Sequence, residues 1–530
     1  MLPSIKSWPF EQQVFLLLLV VSIPALLINL GQVPFIEDEG IRSLVALEMD
    51  LSGNFVAPTL NGEWYLKKPP LWNWILSFSF WAFGKANEFS ARFPTVLFLY
   101  AFVVHTFLVF RKHASIRIAV FTALAVLTCG RILFWDSMLA LIDICFSWLV
   151  FAFFTWTYEY HRKSKFLRMY LGGYLLVAMA FMLKGLPALV FLVLTFTIYQ
   201  WHQGTWKKLF SWQHWAGVSA FVLIVGGYLV LYNHENSIFN LLAVYFDESA
   251  RRTLAQHSFW ESILQWVSFP FEMTYHFLPW SLLALLLISK SGIRHIQSHP
   301  FILFCTITFI GNIWVYWLAP EVYPRYLLMF TPLYFGIGFH IYDQMEPNPK
   351  KILDYILIAF GVLLAIAAWA PLVREDTQTL PMLTVKTITI AGLLILLSGI
   401  MIKSAQNRLL IFFAMLLVVR IGLNWFILPL RATTTEGALV REDAIRIGNN
   451  YADQPLYIFA DDSLRYENSF YITNARQEIL KRSYEQLSGT YLIVNPRKYP
   501  DLANKYEPVD SMQVRRIERL AYIIRVPDDE

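Results

Sequence analysis

The chain has 530 residues, of which 57% are hydrophobic and only 15% charged, and its mean hydropathy is +0.48. Soluble domains carry about 25% charged residues, so this composition excludes an ordinary soluble protein and is typical of a multi-span membrane protein. The net charge of +5 is small for the length. Because the basic residues cluster in short loops, the charge indicates membrane orientation and not nucleic-acid binding.

Long apolar runs recur over roughly the first 430 residues, and most are long enough to cross a bilayer as helices. They predict an α-helical polytopic membrane protein with about thirteen spans. The run at 71–83 is short and contains three tryptophans, so we predict an interfacial helix there. The predicted spans are 13–31, 93–110, 118–134, 137–158, 169–183, 186–200, 214–232, 272–289, 300–318, 325–341, 352–372, 385–402 and 409–428.

Six short loops between these spans are rich in lysine and arginine, which favours the cytoplasmic side. If residues 71–83 do not cross the membrane, all six loops lie on the same side as the N-terminus. If these residues cross, all six loops lie on the side opposite the N-terminus. We adopt the first arrangement, which predicts a cytoplasmic N-terminus and places the loop 32–70 and the C-terminus together on the outer face.

The predicted outer face collects ionisable side chains from six separate segments. The loop 32–70 opens with the acids Glu37, Asp38 and Glu39 and closes with Lys67 and Lys68 before two prolines. Charges near membrane depth are costly and usually mark functional sites, so this convergence predicts one. The other segments contribute Arg92, Asp136, Lys184, the loop 233–271 with Arg252, and Arg325 with Tyr326.

Structural explanations exist for several of these residues. Acids suit helix N-termini, so Asp136 is also compatible with simply starting a helix. Lys184 is also compatible with a lysine that flanks a span and extends its amine to water. Asp143, within an apolar run, is predicted to be a buried structural carboxylate.

After Leu430 the chain becomes polar, which predicts a small α/β domain of about 100 residues outside the membrane. The predicted division is therefore a transmembrane domain at 1–430, with the outer loop 32–92, and a soluble domain at 431–530. Nucleotide-binding fingerprints do not occur in the second domain. The predicted strands are 456–460, 470–473, 491–494 and 522–526, and the predicted helices are 436–449 and 476–487.

The motifs follow a recognisable order from about residue 10 to 430. Asp-Glu after the first span is followed by N-G-x-x-Y-x-x-K-P-P-L, A-R-x-P, an acid before the fourth span, K-G, and R-Y before a late span. In this order the chain resembles the lipid-linked-sugar glycosyltransferases of the GT-C fold. It is most similar to the bacterial branch that contains the aminoarabinose transferase of lipid A and relatives of the protein O-mannosyltransferases.

The resemblance implies a reaction and a place for it. A sugar would move from a polyprenyl-phosphate donor to a hydroxyl or phosphate group of an acceptor on the outer face of a bacterial cytoplasmic (inner) membrane. The acceptor would be a lipid A-type glycolipid or a protein, and membrane lipid would be the surroundings. The resemblance also implies two interfacial helices in the first outer loop and a periplasmic, or extracytoplasmic, C-terminal domain. It implies no nucleic-acid partner.

The family motifs assign candidate residues by position. Asp38, Glu39 and Asp136 match acids and are the predicted catalytic residues. Lys67, Arg252 and Arg325 are added because lysine and arginine form charge-assisted hydrogen bonds with phosphate oxygens. The predicted donor-binding residues are Tyr65, Lys67, Lys68, Arg92, Lys184, Arg252, Arg325 and Tyr326.

The sequence departs from the family pattern at three places. Lys67 stands where the branch usually has a glutamate before Lys-Pro, and Glu321 stands where a basic residue is common. In the loop 233–271 the family's Glu-His pair, which could hold a divalent metal, is missing, because Ser249 follows Glu248. We therefore predict no metal site and no cofactor.

The chemistry of such a transfer explains the residue types. A departing phosphate requires fixed cations, which Lys68 supplies together with Lys67, Arg252 or Arg325. The acceptor hydroxyl requires a base, and Asp38 is the predicted one. A single base fits direct displacement with inversion at the sugar.

A multi-span lipid or solute transporter, or flippase, is the alternative function. Transporters tend to place charges near the midplane and to show repeat symmetry. Here the predicted charges lie at one face, and the first outer loop is long, which favours an enzyme. A third possibility, a scaffold with a polymer-binding C-terminal domain, leaves the Asp-Glu and Lys-Pro-Pro motifs unexplained.

Overall fold

The computed structural model of the chain describes residues 8–36, 38–250, 259–288, 290–319, 322–345, 347–460, 464–514 and 520–528. Within these residues, nine helices are long and apolar enough to cross a membrane. The predicted class, a multi-pass helical membrane protein with a small C-terminal sheet, is confirmed. The number of spans, about thirteen, stays a prediction.

Helices make up most of the described residues. Shorter 3₁₀ segments occur at Asp136–Met138, Trp280–Ile288 and Pro324–Phe330, and a π segment at Leu423–Ile427. The α-helices are Phe10–Leu27, Asp38–Ser52, Leu71–Phe83, Glu88–His113, Ile116–Thr128, Gly130–Phe134, Asp143–Arg162, Phe166–Lys184, Pro187–His202, Trp212–Glu235, Ile238–Ala250, Phe259–His276, Lys290–Ser298, Pro300–Trp317, Thr331–Gln344, Pro347–Ala367, Leu383–Lys403, Arg408–Gly422, Leu428–Thr434, Glu436–Asn450, Tyr466–Arg476 and Pro500–Lys505.

Local sequence explains where two of these helices end. Gly84 follows Leu71–Phe83 with φ +66°, and its N–H bonds back to the last turn, as a left-handed helix cap does. Gly185 follows Phe166–Lys184 with φ +80°, and Pro187 then begins the next helix. At 13 residues, Leu71–Phe83 is only about 20 Å long, too short to cross a bilayer unaided. Its interfacial placement stays a prediction.

The chain separates into two compact units. The membrane unit comprises Met1–Ile28, Thr95–Val230 and Phe239–Phe426. The loop unit comprises Asn29–Pro94, Leu231–Ile238 and Ile427–Glu530. The first outer loop and the C-terminal residues are therefore parts of the same compact unit. The functional division at residue 430 stays a prediction.

Two small sheets belong to the loop unit. A two-stranded antiparallel hairpin pairs β1 with β2, and a five-stranded sheet has the order β4-β3-β5-β7-β6. In the larger sheet β3 is parallel to β4 and β5, whereas β7 is antiparallel to β5 and β6. The strands are Thr59–Leu60 (β1), Glu63–Trp64 (β2), Leu456–Phe459 (β3), Arg482–Ser483 (β4), Tyr491–Val494 (β5), Pro508–Gln513 (β6) and Leu520–Arg525 (β7).

The structure corrects two predicted elements of the C-terminal residues. The predicted strand 470–473 lies inside the helix Tyr466–Arg476, whose side chains from Glu467 to Thr473 are all buried. A helix buried on every face shows no helical periodicity, so its β-branched and aromatic residues resemble a strand. The predicted helix 476–487 is also wrong, because Gln477 has φ +54° and ends the helix before β4.

Candidate active site

The first outer loop is built from a helix, a hairpin and a second helix. Asp38 is the first residue of Asp38–Ser52 and is half-buried, whereas Glu39 is fully buried. A carboxylate in the first turn of a helix is stabilised by the positive end of the helix dipole. The Asp-Glu motif thus divides into a partly accessible acid and an inaccessible one. Glu37 lies outside the described residues.

Glu39 forms a buried, two-pronged ion pair with Arg92. The Nε and Nη2 atoms of Arg92 donate to the two Glu39 carboxylate oxygens at 2.8 and 2.9 Å. The remaining guanidinium donors bind main-chain carbonyls: Nη1 donates to Leu30 and Val33 at 2.9 and 2.7 Å, and Nη2 donates to Pro34 at 3.2 Å. An arginine has five N–H donors, so these contacts use all of them. This geometry makes Arg92 a positioning residue for the loop and does not favour the predicted phosphate contact.

Residues of the C-terminal helices secure the start of the same loop. The Tyr471 hydroxyl accepts a hydrogen bond from the Phe35 N–H at 2.9 Å and donates to Glu88 Oε1 at 2.8 Å. Arg441 bonds to Glu88 Oε1 and to the Gln32 carbonyl, both at 3.1 Å. These bonds fix the backbone just before Asp38.

The β1–β2 hairpin turns on Asn61 and Gly62, which both have positive φ, 54° and 76°. An Asn-Gly pair is the preferred sequence for such a two-residue turn. The Asn61 amide donates to the Leu480 carbonyl, and the Arg482 N–H donates to the Asn61 carbonyl, each at 3.2 Å. A Cβ atom on Gly62 would lie 2.8 Å from the Lys481 side chain. The N-G of the family motif is thus explained by a close approach of backbone to the C-terminal chain.

Glu48 lies beneath this hairpin and is completely buried. Its carboxylate accepts hydrogen bonds from the Thr59 hydroxyl at 2.6 Å and from the N–H groups of Asn61 and Gly62 at 2.6 and 3.2 Å. Burial raises the pKa of Glu48 to about 6, although these hydrogen bonds oppose the shift. The sequence analysis missed Glu48, whose signal was a lone carboxylate in the run Val45–Met49.

The Tyr-x-x-Lys-Pro element follows the hairpin. Tyr65 is buried, with 4% exposure, and its hydroxyl accepts a hydrogen bond from the guanidinium of Arg42. Lys67 is exposed and Lys68 is half-buried. Of the two lysines, Lys68 therefore has the more fixed surroundings, which suits the predicted contact with a phosphate. Arg42 is a second buried residue that the sequence analysis missed.

The membrane unit brings three other predicted residues together. Lys184 Nζ lies 2.6 Å from Asp143 Oδ1, and Arg325 Nε lies 3.5 Å from Asp143 Oδ2. The same Lys184 amine lies 3.8 Å from the centre of the Tyr326 ring, close enough for a cation–π interaction. Asp143 is thus a buried carboxylate shared by two cations.

Asp136 forms a separate pair nearby in the chain. Arg131 Nε donates to Asp136 Oδ2 at 3.0 Å, while Asp136 Oδ1 is buried and has no hydrogen-bond partner within the described residues. Burial raises the pKa of Asp136 to about 6, and Arg131 opposes the rise. Three cations of the membrane unit, Arg131, Lys184 and Arg325, thus pair with two buried carboxylates.

An apolar cavity of about 220 Å³ opens beside the 3₁₀ segment that carries Arg325 and Tyr326. Leu327 and Phe330 of that segment line it, and Phe277 and Trp317 are among the other lining residues. Leu327 is two residues beyond Arg325, about 4 Å along a 3₁₀ helix. One short segment therefore carries a cation and also lines an apolar cavity.

The remaining predictions fall outside these groups. Arg252 lies outside the described residues. No cluster of three or more His, Cys, Asp or Glu side chains that could hold a metal ion occurs in the part of the chain that the structure describes. Catalytic and donor-binding roles for the predicted residues stay predictions.

Comparisons with known proteins agree with this organisation. The family model "Dolichyl-phosphate-mannose-protein mannosyltransferase" matches residues 44–239. An undecaprenyl phosphate-α-4-amino-4-deoxy-L-arabinose arabinosyl transferase of Edwardsiella ictaluri is 29% identical over 44% of this chain and 41% of its own length. The enzyme of the same name from Shewanella sediminis is 26% identical over 53% of this chain and 51% of its own. The matched part thus spans about half or less of either relative.

Structural similarity extends further along the chain. The crystal structure of ArnT from Cupriavidus metallidurans bound to undecaprenyl phosphate has a TM-score of 0.70, covers 97% of this chain and 99% of its own, and is 18% identical. The apo structure of the same protein also has a TM-score of 0.70. The shared fold and the sequence matches confirm the predicted resemblance: the chain has the GT-C fold and is related to the ArnT-like polyprenyl-phosphate-sugar glycosyltransferases.

Proposed function

We propose that the protein is an integral membrane glycosyltransferase that moves a sugar from a polyprenyl-phosphate donor to an acceptor hydroxyl or phosphate. The observation that carries this proposal is the pairing of Lys184 and Arg325 on one carboxylate, together with an apolar cavity lined by Leu327 of the segment that carries Arg325. The relationship to the arabinosyl transferases supports it.

A polyprenyl phosphate combines a compact anion with a long hydrocarbon chain. The anion requires fixed cations, because lysine and arginine form strong, charge-assisted bonds to phosphate oxygens. The hydrocarbon requires an apolar surface, since burying it releases about 25 cal/mol per Å². Lys184 and Arg325 supply the first requirement, and the cavity lined by Leu327 and Phe330 supplies the second. Lys68 is the candidate phosphate ligand of the loop unit.

In the proposed reaction Asp38 accepts the proton of the acceptor hydroxyl. The acceptor oxygen then forms a bond to the anomeric carbon while the bond from that carbon to the donor phosphate oxygen breaks. The sugar passes to the acceptor with inversion, and the polyprenyl phosphate leaves as an anion. A positioned base contributes about 10²–10⁴-fold to such a rate. Glu39 acts by holding Arg92 and the loop, and does not touch the substrate.

The place of the reaction is also part of this proposal. The lysine- and arginine-rich loops favour a cytoplasmic N-terminus, which assigns the first outer loop and the C-terminal residues to the periplasmic face of a bacterial inner membrane. Acceptors of two kinds fit the relationship, a lipid A-type glycolipid and a protein. The assay below separates them.

The test measures sugar transfer by purified full-length protein in detergent. Undecaprenyl phosphate with a radiolabelled 4-amino-4-deoxy-arabinose is incubated with a membrane and peptide extract, and label is counted in the lipid and protein fractions. We expect wild-type transfer to one fraction, which identifies the acceptor class. Asp38→Asn should lose at least 100-fold of the rate, because the acceptor hydroxyl would no longer have a base.

Matched variants control for charge and folding. Asp376→Asn removes an exposed carboxylate that pairs with Arg374, and Lys85→Ala removes an exposed lysine from the same loop unit as Lys68. Both should retain wild-type rates, whereas Lys68→Ala should lose at least tenfold. Full activity of Asp38→Asn would remove this residue as the base. Donor binding without transfer to any acceptor, together with movement of the donor across liposome membranes, would favour the flippase alternative.

A further inference from the structure

A second cavity, of about 450 Å³, lies in the membrane unit at the ends of several helices. It is lined by the last residues of Glu88–His113, Asp143–Arg162 and Pro187–His202 and by the first residues of Pro300–Trp317. Cavities of about 300–1,000 Å³ are typical of small-molecule sites. This cavity is therefore large enough for a small organic ligand.

Five of the polar residues that line this cavity are basic types, and the others are two glutamines and two tyrosines. The basic residues are the histidines His113, His161, His202 and His299 and the arginine Arg162. Basic residues in the last turn of a helix are favoured by the helix dipole alone, which is the structural explanation for three of these helix ends. That explanation accounts for the charge but not for a cavity of this size.

His113 provides an independent indication of a ligand. Its side chain is only 7% exposed, and its Nε2 atom lies 2.8 Å from Glu159 Oε2. Its Nδ1 atom is buried and has no hydrogen-bond partner within the described residues. A buried polar atom without a partner costs about 1–3 kcal/mol, so such atoms usually await a ligand or water. The Glu159 carboxylate fixes the ring through Nε2, which leaves Nδ1 to bond with a ligand or water.

The fourth helix adds a second anion-favouring feature. His299 caps Pro300–Trp317, since its Nδ1 atom accepts the Ile302 N–H at 3.4 Å. Pro300, Phe301 and Leu303 of the first turn line the cavity, so the positive end of an 18-residue helix faces it. Helix N-termini bind phosphate groups for this reason.

Aromatic rings form the rest of the wall. Tyr158 and Tyr199 each pack against Phe304, with ring centres 4.8 and 4.9 Å apart, and Tyr158 also packs against Phe301 at 5.1 Å. These rings offer an apolar surface to the organic part of a ligand whose anionic part meets the basic side chains.

We propose that this cavity binds a molecule carrying a phosphate group, separately from the sugar-transfer site. Asp143 and Arg162 are the two ends of one 20-residue helix, so the cavity lies about 30 Å along that helix from the Asp143–Lys184–Arg325 cluster. That distance is about the thickness of the hydrocarbon core, so a ligand of this cavity reaches the protein from the opposite face of the membrane. The phosphate belongs either to a phospholipid headgroup or to a soluble phosphate ester.

Two probes distinguish these sources. Full-length protein is reconstituted in phosphatidylcholine nanodiscs, and saturable binding of radiolabelled glycerol 3-phosphate is measured by equilibrium dialysis. In parallel, the protein is placed in nanodiscs with increasing radiolabelled phosphatidylglycerol, and the lipid that stays with the protein after detergent extraction is counted. We expect saturable binding of one of the two probes. Arg162→Ala and His113→Gln should each weaken that binding at least tenfold.

The control is Lys165→Ala, which removes an exposed cation close to Arg162 that does not line the cavity. It should change the affinity less than twofold. Saturable binding of neither probe would overturn the proposal, and so would equal losses in Lys165→Ala and Arg162→Ala, which would indicate surface charge alone. Unchanged binding by a folded His113→Gln would also overturn it. If His113→Gln unfolds, the comparison of Arg162→Ala with Lys165→Ala decides the outcome, because Arg162 is exposed.

Discussion

The two units of the molecule use buried cations in opposite ways. In the loop unit, all five N–H donors of Arg92 are taken by Glu39 and by main-chain carbonyls. In the membrane unit, Lys184 and Arg325 share one carboxylate, that of Asp143. An arginine whose donors are all occupied holds structure, whereas two cations that share one acid form the arrangement for which we propose a phosphate ligand. Motif position alone assigned Arg92 and Lys184 the same role.

Replacing Arg92 is the most direct test of whether this arginine is structural. Arg92→Met should remove the cation that pairs with the fully buried Glu39 carboxylate and the donors to three carbonyls, and we expect a loss of about 3–5 kcal/mol in the free energy of unfolding. Thermal unfolding in detergent, followed by size-exclusion chromatography after heating, measures the loss. Arg497→Met, an exposed arginine of the same unit, should change stability by less than about 0.5 kcal/mol. A stable Arg92→Met protein with impaired donor binding would instead restore the predicted phosphate role.

Lys184 tests the other side of the comparison. Lys184→Met leaves Asp143 paired with Arg325, so the fold should survive, while a bond to a charged group worth about 1.5–3 kcal/mol is lost. We expect binding of undecaprenyl phosphate to weaken about 10- to 100-fold in a direct binding isotherm. Lys163→Met, an exposed lysine paired with Glu159, is the control and should bind normally. Wild-type affinity in Lys184→Met would make the lysine structural.

The raised pKa of Glu48 predicts how the stability of the folded protein depends on pH. Burial raises its pKa from 4.5 to about 6, so the folded state holds the proton more tightly than the unfolded state does. The stability of the folded state relative to the unfolded state therefore falls as pH rises from about 4.5 through 6. A shift of this size corresponds to about 2 kcal/mol.

Thermal unfolding between pH 4 and 7 checks this prediction by comparing wild type with Glu48→Gln. The amide does not titrate, so the difference in stability between the two proteins should change by about 2 kcal/mol across that range, with wild type losing stability towards pH 7. Asp50→Asn serves as a control for a carboxylate on the same helix, because Asp50 is exposed. Parallel pH profiles for wild type and Glu48→Gln would show that Glu48 keeps an ordinary pKa.

Much of the fold could be predicted from the sequence because its signals are local. Apolar length predicted the helices, and β5 and the helix Glu436–Asn450 lie where patterning placed them. The helix Tyr466–Arg476 was misread as a strand, since burial on every face removes the periodicity that identifies a helix. Arg42 and Glu48 are buried, but the sequence carried only a weak signal for this, because other charged residues occur on the same helix. Their hydrogen-bond partners lie outside that helix.

The candidate site divides in the same way. Ordered motifs identified Asp38, Lys68, Lys184 and Tyr326 as candidates, because the family chemistry needs acids and cations of these types. Only the tertiary structure decided which of these charged side chains pair with each other. Glu39 and Arg92 are 53 residues apart in the chain, and Asp143 and Lys184 are 41 apart. Sequence determines the apolar content that makes a membrane protein, but the pairing of buried charges depends on contacts that form only when distant helices pack together.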